Sequence, residues 1–323
     1  MKRLGTLLLT IAIVAGLSGT VAYLWNASVT PQKGYAFDLI VKGTNVDFWK
    51  SVNEGAQAAA STYNCTVTMV GPAIEKNYSQ QVGLMEGSIA RRPNAIILAA
   101  ADYNLLAEPV QKAYNAGIPV VMVDSDVNSP HTVAYVGTDN RKLGTMLAQQ
   151  VCKNLKGVSG EVGIVSFVKE SDPALQREEG FRNAMRSVPG LTMLETEYGE
   201  SDVAKTECLT ADMVARHPNL VAVASLNAQA SQGAAQALSK LGRKDIQLFA
   251  IDCTPEEAMY MEEGVLKVAL LQNPYQMGYY GVETAYRYLK GEKVGKRNTD
   301  IYLVDLNNLF DDKYQQLIFP FNS

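Results

Sequence analysis

Short apolar runs alternate with longer amphipathic stretches along the chain from Tyr35 onward. Apolar runs rich in β-branched residues predict strands, and stretches of helical period between them predict helices. Because nearly pure apolar strands have to be covered on both faces, the alternation predicts an α/β fold with parallel sheets between helices. The predicted strands are Phe37–Val41, Thr66–Val70, Ala95–Leu98, Val120–Val123, Val133–Val136, Val162–Phe167, Thr192–Glu195, Val221–Ser225, Gln247–Ile251 and Val268–Leu271.

Turn residues lie between the apolar runs and the helical stretches and mark where the helices begin and end. The first strand runs into a loop at Gly43 and Asn45, and an Ala-rich helix follows from Phe48. Gly117 and Pro119 separate a helix from the next strand, as expected for a helix terminator and a residue that cannot continue a helix. Further predicted helices include Gln80–Arg91, Leu105–Ala116, Arg141–Leu155, Ala228–Leu241 and Gln276–Lys290.

A weak internal duplication divides the chain into two halves. Asp124 and Asp252 each follow an apolar strand directly, and each strand comes about fourth in its half. We therefore expect two similar α/β lobes that face one another across a cleft, as a chain of this length is too long for one core. The predicted lobes are 35–138 plus 273–301 and 139–272 plus 302–323, with the passage between them near Gly137–Asp139 and a return after Asn273.

The N-terminal segment, residues 1–34, is predicted to be a membrane anchor or signal followed by a polar linker. Leu4–Leu24 is uncharged and largely apolar, and Lys2 and Arg3 precede it. About 20 such residues span a bilayer, and basic residues stay on the cytoplasmic side. The folded part is therefore expected outside the cytoplasm, tethered by an uncleaved anchor or released after a cleaved signal, with a weak cleavage site after Ala22.

Composition and charge exclude several classes of function. The net charge of -4 and the lack of a dense Lys/Arg cluster argue against nucleic acid as a partner. The four cysteines are scattered without metal-ligand spacing, so we expect no metal site and no cofactor, and their disulfide state stays open. His131 and His217 lie in polar contexts without a nucleophile elbow, and the first strand–helix loop lacks the glycine pattern of a dinucleotide site.

Two adjacent aromatic residues, Phe48 and Trp49, stand where the first predicted helix leaves the sheet. Ligands of open α/β sheets bind outside the carboxyl ends of the strands. Aromatic faces beside polar loop groups suit a sugar, whose C–H faces pack on rings while its hydroxyl groups form hydrogen bonds. The alternative is that both rings only fill the core or staple the helix.

Several segments resemble one known family in order and spacing. They are Asp47-Phe48-Trp49 with Glu54-Gly55-Ala56, Gly117–Val120 with Asp124, Gly137–Asn140, Arg177–Phe181, Asn227, Asp252–Pro255 and Gly281–Ala285. Over about Tyr35 to Val304, the chain resembles the type I periplasmic sugar-binding proteins, particularly their ribose-binding branch, and the ligand domains of lactose-repressor-type regulators.

This resemblance implies two Rossmann-like lobes joined by three hinge crossings and closing on a monosaccharide. It implies that Phe48 and Trp49 stack on the ligand and that Asp124 and Asp252 accept hydrogen bonds from its hydroxyl groups. Arg177 would donate, while Asn227 and Gln272 would donate and accept. Asn45 and Lys42, in the loop after the first strand, complete the expected ligand-binding set.

Each expected ligand residue also has a structural alternative. Asp124 and Asp252 could cap the following turns or helices, Asn227 could be a turn residue, and Gln272 could only tie the hinge. Arg177 could be a solvated helix charge. Lys42 departs from the small polar residue frequent in the family; a buried ammonium there would favour an anionic or more polar ligand, unless it points to solvent or a neighbouring carboxylate.

Other departures argue against ribose itself as the ligand. Asp47 replaces a frequent proline, Ser125 follows Asp124 where ribose binders have an arginine, with Asp126 just beyond, and Ser201 replaces an aromatic residue.

The favoured function is an extracytoplasmic solute-binding protein, not an enzyme, that presents a sugar or sugar-like molecule to a membrane partner. That partner is an ABC-type importer permease or a sensor histidine kinase. The alternatives are a glycoside-processing enzyme that uses Asp124 and Asp252 as its carboxylate pair, and the ligand domain of a transcription regulator. The regulator is disfavoured because an apolar run stands where DNA-binding helices would precede the domain.

Overall fold

The structure is a computed structural model that describes residues 34–320. Within this range the strands form two six-stranded sheets. The first sheet contains Ala36–Ile40 (β1), Thr66–Val70 (β2), Ala95–Leu98 (β3), Val120–Val123 (β4), Ala134–Gly137 (β5) and Arg297–Asn298 (β11). The second contains Gly160–Ser166 (β6), Leu191–Tyr198 (β7), Leu220–Ser225 (β8), Gln247–Ile251 (β9), Leu266–Leu271 (β10) and Tyr302–Val304 (β12). The prediction of two α/β lobes with mostly parallel sheets is confirmed.

Both sheets have the same strand order. The first is β11-β5-β4-β3-β1-β2 and the second is β12-β10-β9-β8-β6-β7. All neighbouring strands are parallel except β12, which runs antiparallel to β10. Strand β4 in the first sheet therefore corresponds to β9 in the second, so the two aspartates expected from the duplication occupy equivalent positions.

Ten helices of the described residues cover these sheets. They are Asp47–Tyr63 (α1), Tyr78–Arg91 (α2), Ala107–Asn115 (α3), Asn140–Asn154 (α4), Asp172–Met185 (α5), Val203–Arg216 (α6), Ala228–Lys240 (α7), Pro255–Glu262 (α8), Pro274–Leu289 (α9) and Asp312–Ile318 (α10). The predicted boundaries differ from these by a few residues. For example, the predicted helix at Leu105 begins at Ala107, and the predicted strand Thr192–Glu195 extends over Leu191–Tyr198.

The sequence pattern did not predict β11, β12 and α10. Strands of two and three residues are too short to show a hydrophobic period. The two strands nevertheless matter for the architecture, because each adds the outermost strand on one side of a sheet.

The chain passes between the two sheets three times. It leaves the first sheet after β5, returns after β10 to form α9 and β11, and crosses again before β12. Helix α9 packs against α1 and β4 of the first sheet. We call the first sheet with its helices lobe 1 and the second lobe 2; three short connections then link the two lobes.

Side chains from alternate positions of the lobe 2 strands enter two separate cores. Val223 and Leu248 point to one face of the sheet, and Ala222 and Phe249 point to the other. Alternate residues point to opposite faces because the side chains of a strand have a period of two. Both faces are therefore covered by helices, as the apolar strand pattern predicted.

Glycines bring two pairs of helices into backbone contact. A Cβ atom on Gly144 or Gly180 would lie 2.0 or 2.1 Å from a carbonyl oxygen of the facing helix in the α4–α5 pair. The corresponding distances for Gly55 and Gly278 in the α1–α9 pair are 1.9 and 1.8 Å. Only glycine fits such approaches. Helix α5 carries Arg177, so this contact fixes the position of a candidate ligand residue.

The predicted anchor Leu4–Leu24 lies outside the described residues. Between residues 34 and 320, no helix combines the length and the apolarity that spanning a bilayer requires.

Candidate functional site

One cavity of about 430 Å³ lies between the lobes, at the carboxyl ends of their strands. All nine expected ligand residues line it. Lobe 1 contributes Lys42, Asn45, Phe48, Trp49 and Asp124, and the lobe 2 side contributes Arg177, Asn227, Asp252 and Gln272. Their contacts with a ligand remain predictions. The volume matches the lower part of the range of small-molecule sites, about 300–1,000 Å³.

Phe48 and Trp49 lie in the first turn of helix α1 and form an aromatic wall of the cavity. Their rings meet edge to face with centroids 5.0 Å apart. Trp49 is buried, and Phe48 is partly exposed. The two rings therefore pack against each other and also line the cavity. Core packing and stacking on a ligand are both compatible with this position.

Asp124 and Asp252 adopt left-handed backbone conformations immediately after β4 and β9. Their φ angles are 60° and 68°. The backbone N–H of Asp124 donates to Val136 and that of Asp252 to Leu270, each at 2.9 Å and each on the neighbouring strand. Aspartate tolerates this conformation better than most residues. The turn places both carboxylates on the cavity, and neither residue is the N-cap of a helix, so helix capping does not account for them.

In lobe 1, Asp124 belongs to an ion cluster around Lys42. The ammonium of Lys42 lies 2.9 Å from Glu75 and 3.2 Å from the Asp124 carboxylate. The hydroxyl of Ser125 donates to the same Asp124 oxygen. Burial alone lowers the pKa of Lys42, but attraction to Asp124 and Glu75 outweighs burial and raises it above its usual value of 10.5.

The pairing agrees with one of the alternatives that the sequence left open for Lys42. Lys42 was expected either to attract an anionic ligand or to point to solvent or a neighbouring carboxylate. Its ammonium is buried and already has two carboxylate partners, Glu75 and Asp124. An anionic ligand at Lys42 would therefore meet a cation that two carboxylates already neutralise.

In lobe 2, a network around Arg177 replaces the ion cluster. The guanidinium donates to Asn140 at 2.9 Å, to the Leu226 carbonyl at 2.8 Å and to the Gln272 side-chain oxygen at 2.8 Å. The Arg177 side chain is almost completely buried. The alternative that Arg177 is a solvated helix charge is therefore wrong. Its position follows from the glycines that bring α5 into backbone contact with α4.

Gln272 connects this network to Asp252 and to a crossing segment. Its amide group donates to both Asp252 oxygens, at 3.1 and 3.0 Å. Its oxygen accepts from Thr138 in the first crossing segment at 2.9 Å. Burial raises the pKa of Asp252, although Arg177 and the Gln272 hydrogen bonds oppose the shift. Gln272 therefore connects two of the segments that cross between the lobes and also lines the cavity.

Asn227 has a structural role in addition to its place in the cavity wall. Its side-chain oxygen accepts from the backbone N–H of Ala230 at 2.9 Å and caps helix α7. Its amide donates to Gln229 at 2.8 Å. Capping satisfies an N–H at the start of the helix and orients the side chain next to the cavity.

Contacts across the cleft show that the lobes are closed. Ser201 of lobe 2 donates to Glu75 of lobe 1 at 2.6 Å, and the backbone N–H of Tyr103 donates to the Glu170 carbonyl at 3.0 Å. Lys76 and Glu200 form an ion pair of 2.6 Å at the rim. These contacts join elements that belong to different sheets, so they require the closed arrangement.

Sequence reasoning missed several residues of the cavity wall. Glu75 follows β2, Phe167 follows β6, and Lys76, Glu200, Asp202 and Lys205 lie on the rim. Ser201 was noted only as a departure from the family. The available signal was the position of Glu75 and Phe167 at carboxyl ends of strands, where ligands of parallel sheets bind.

No metal site is found in the described part of the chain. Within residues 34–320, no three His, Cys, Asp or Glu side chains are grouped to hold an ion. The four cysteines are free thiols.

Two similar lobes that close over a polar cavity at their strand ends define a hinged ligand-binding protein. The family model described as "Periplasmic binding protein domain" matches residues 37–293. The chain belongs to this family, which confirms the resemblance seen in the sequence.

Named relatives and solved structures agree with this family. The ribose import binding protein RbsB of Escherichia coli (strain K12) is 27% identical over 305 residues, covering 94% of this chain and 98% of that protein. An ABC transporter solute-binding protein from Agrobacterium vitis, solved with α-D-tagatopyranose, has a TM-score of 0.85 at 28% identity and covers 88% of this chain and 99% of its own. A carbohydrate transporter solute-binding protein from Agrobacterium radiobacter, solved with D-arabinose, has a TM-score of 0.84 at 26% identity. The match covers 89% of this chain and 99% of that protein.

Proposed function

We propose that this protein captures a monosaccharide or sugar-like molecule outside the cytoplasm and presents it to a membrane partner. The observation that carries the proposal is the cavity between the lobes, where Asp124 and Asp252 occupy equivalent strand ends and face the same space with Trp49. The names of its relatives, which refer to ribose, tagatose and arabinose, support the same ligand class.

The chemistry of the cavity wall suits hydroxyl groups. A hydroxyl both donates and accepts, so it needs partners of both kinds. Asp124 and Asp252 accept, Arg177 donates, and Asn227 does both, while the rings of Phe48 and Trp49 offer apolar faces. A buried polar group left without a partner costs about 1–3 kcal/mol, so the pattern of donors and acceptors selects the ligand.

Lobe closure is the proposed mechanism of capture. A ligand that touches Asp124 in lobe 1 and Asp252 in lobe 2 favours the closed state, because both sets of contacts exist only there. The contact between Glu75 and Ser201 adds a direct bond across the cleft in this state. A partner that recognises the closed shape then distinguishes loaded from empty protein.

The proposed partner is the permease of an ABC transporter, since the two solved neighbours carry transporter names. A sensor histidine kinase is the alternative. Reconstitution with each partner separates them: sugar-stimulated ATP hydrolysis by the transporter supports import, and sugar-dependent autophosphorylation of a kinase supports sensing.

We further propose that Leu4–Leu24 tethers the protein to the membrane. The full chain should stay in the membrane fraction after alkaline carbonate extraction, and a variant lacking Leu4–Leu24 should not. Release of the full chain by carbonate contradicts the tether but leaves the binding proposal intact.

The test of binding is calorimetric titration of the full-length chain with neutral pentoses and hexoses, including D-ribose, D-allose, D-arabinose and D-tagatose. At least one should bind with saturation, and Asp252→Ala should abolish that binding while cooperative unfolding is retained. Absence of binding across the panel contradicts the function. In a separate assay with glycosides of the sugar that binds, release of free sugar would favour the enzyme alternative based on Asp124 and Asp252.

A further inference from the structure

Each lysine of the cavity wall forms an ion pair with a carboxylate of the same wall. Among the described residues that line the cavity, five are carboxylates and four are cations. The carboxylates are Glu75, Asp124, Glu200, Asp202 and Asp252, and the cations are Lys42, Lys76, Arg177 and Lys205. The wall therefore carries no excess of positive charge.

Every one of these four cations has oxygen partners of its own. Lys42 lies between Glu75 and Asp124, and the rim lysines Lys76 and Lys205 share Glu200, at 2.6 and 3.1 Å. Arg177 donates to three protein oxygens, among them that of Gln272. The three oxygens bonded to Arg177 are neutral, and the compensating charge near it is the Asp252 carboxylate. An anionic ligand would thus find no lysine without a carboxylate partner, and beside Lys42 and Arg177 it would meet the carboxylates of Asp124 and Asp252.

Glu75 is the residue that completes this balance at Lys42. The side chains of Lys42, Glu75 and Asp124 are 6%, 13% and 5% exposed, so water screens their charges little. The rings of Trp49 and Phe167 lie 5.6 and 5.8 Å from the ammonium and close its remaining sides. Without Glu75, the ammonium would keep one carboxylate partner and leave two of its three N–H groups without an oxygen partner.

We propose that Glu75 is a specificity-determining residue that makes the cavity select an uncharged sugar and reject the corresponding sugar acid. The inference rests on the proposed function, since it assumes that this cavity holds the sugar. Glu75 acts by occupying Lys42 from within lobe 1, and its second oxygen accepts from Ser201 of lobe 2, so the pairing persists when the lobes close.

The experiment uses pairs of probes that differ by one carboxylate: D-glucose with D-glucuronate, D-galactose with D-galacturonate, and D-ribose with D-riburonate. In calorimetric titrations of the full-length chain, the acid of each binding pair should bind at least about 100-fold more weakly than the neutral sugar, as expected for like charges brought together. Equal or tighter binding of the acid overturns the inference. Failure of both members of every pair to bind counts against the proposed function instead.

Glu75→Gln tests the residue itself. Glutamine keeps the shape and can still accept from Ser201, but it leaves Lys42 with Asp124 as its only carboxylate partner and removes one negative charge beside the ligand. The ratio of the affinity for the acid to the affinity for the neutral sugar should rise by at least about 10-fold. A tenfold change corresponds to the loss of a single charge contact. An unchanged ratio in a folded Glu75→Gln protein overturns the role of Glu75.

Two control variants separate charge from closure. Ser201→Ala removes the hydrogen bond across the cleft and leaves the charges in place, so binding of both probes should weaken while their ratio stays constant. Glu200→Gln removes a carboxylate whose partners are rim lysines with half-exposed side chains, and it should leave the ratio within about twofold. A shift of the ratio in Ser201→Ala equal to that in Glu75→Gln would contradict the charge mechanism.

Discussion

The two lobes use the same fold to place the same residue in different electrostatic surroundings. Asp124 follows β4 and Asp252 follows β9, at equivalent strands and with similar left-handed backbones. Asp124 contacts a buried ammonium, whereas Asp252 accepts from the Gln272 amide and has Arg177 nearby. A repeated fold therefore fixes where a side chain points, and its neighbours decide whether its charge stabilises the protein.

The difference has a functional consequence. Lobe 1 presents a carboxylate that a fixed cation compensates, so its cost in the empty protein is small. Burial raises the pKa of Asp252 despite the opposing effect of Arg177, so its charge is costly until a ligand donates to it. Lobe 2 thus has more to gain from a hydroxyl donor than lobe 1.

The largest expected effect concerns a feature that the lobes share. Gly278→Ala in lobe 1 and Gly180→Ala in lobe 2 each place a methyl group about 2 Å from a carbonyl oxygen of the facing helix. The helices must separate, and the free energy of unfolding should fall by more than about 3 kcal/mol, beyond most point substitutions. Urea denaturation measures the change.

Gly83→Ala is the matched control for both variants. Gly83 lies in α2 with no atom within 4 Å of the added methyl group. The substitution should raise the stability by about 0.5–1 kcal/mol through helix propensity. Equal effects at Gly83 and Gly278 would contradict the backbone contact between α1 and α9.

Removal of the central cation tests each lobe separately. Lys42→Met leaves Glu75 and Asp124 without their ammonium, and Arg177→Met leaves three protein acceptors without their donor. Each should lower the free energy of unfolding by about 3 kcal/mol at pH 7, since a buried charged network loses one partner. A change below about 1 kcal/mol in either variant would show that the network contributes little.

The cost of Lys42→Met should depend on pH in the alkaline range. The pKa of Lys42 is raised on folding, so its contribution is fully present below the unfolded value near 10.5 and is lost as pH rises through the folded value. The stability difference between wild type and Lys42→Met should stay constant from pH 7 to about pH 10 and shrink above it. A difference that grows above pH 10.5 would contradict the pairing.

The same substitution at the two aspartates should have opposite effects. Asp124→Asn removes a charge partner of Lys42 and should lower the stability by about 1–2 kcal/mol at pH 7. Asp252 has a folded pKa above its usual 3.8, so its contribution is present below pH 3.8 and is lost as pH rises through the folded value. Asp252→Asn should therefore raise the stability at pH 7 by up to about 1 kcal/mol while it weakens sugar binding.

Thermal and urea unfolding at pH 7 and pH 4 measure this contrast. The stability gain of Asp252→Asn over wild type should be smaller at pH 4, because protonation of Asp252 then relieves the same cost. Equal destabilisation by Asp124→Asn and Asp252→Asn would contradict the electrostatic difference between the two lobes.

The smallest expected effect concerns the rim. Lys76→Ala breaks the ion pair with Glu200, whose side chains are 52% and 37% exposed. Exposed ion pairs contribute about 0–1 kcal/mol and weaken with salt, so sugar affinity should change less than about fivefold, and less still at 0.5 M NaCl. A larger loss that persists in salt would assign Lys76 a direct role in binding.

Much of the fold was predictable because strand and helix signals are local. The order of apolar runs located ten of the twelve strands of the described residues, and Asp124 and Asp252 followed from their place after equivalent runs. The strands β11 and β12 were missed because two or three residues carry no measurable period.

The electrostatics of the site were harder to predict. The state of Lys42 depends on Glu75, which comes from a different loop, and on the closure that brings Ser201 across the cleft. A sequence places a lysine in a loop, but only the packing of separate loops decides which charges meet. For this reason the sequence located Lys42 correctly but left open whether its ammonium would meet a ligand or a neighbouring carboxylate.

Hydrogen exchange at two backbone amides tests closure on a sugar most directly. The N–H of Tyr103 donates to Glu170 across the cleft at 3.0 Å, whereas the N–H of Asn128 donates to the Tyr103 carbonyl within lobe 1 at 2.8 Å. In the full-length chain with a saturating bound sugar, exchange at Tyr103 should slow at least about tenfold, and exchange at Asn128 should change little. Saturating binding that leaves both rates unchanged would contradict closure of the two lobes on the ligand.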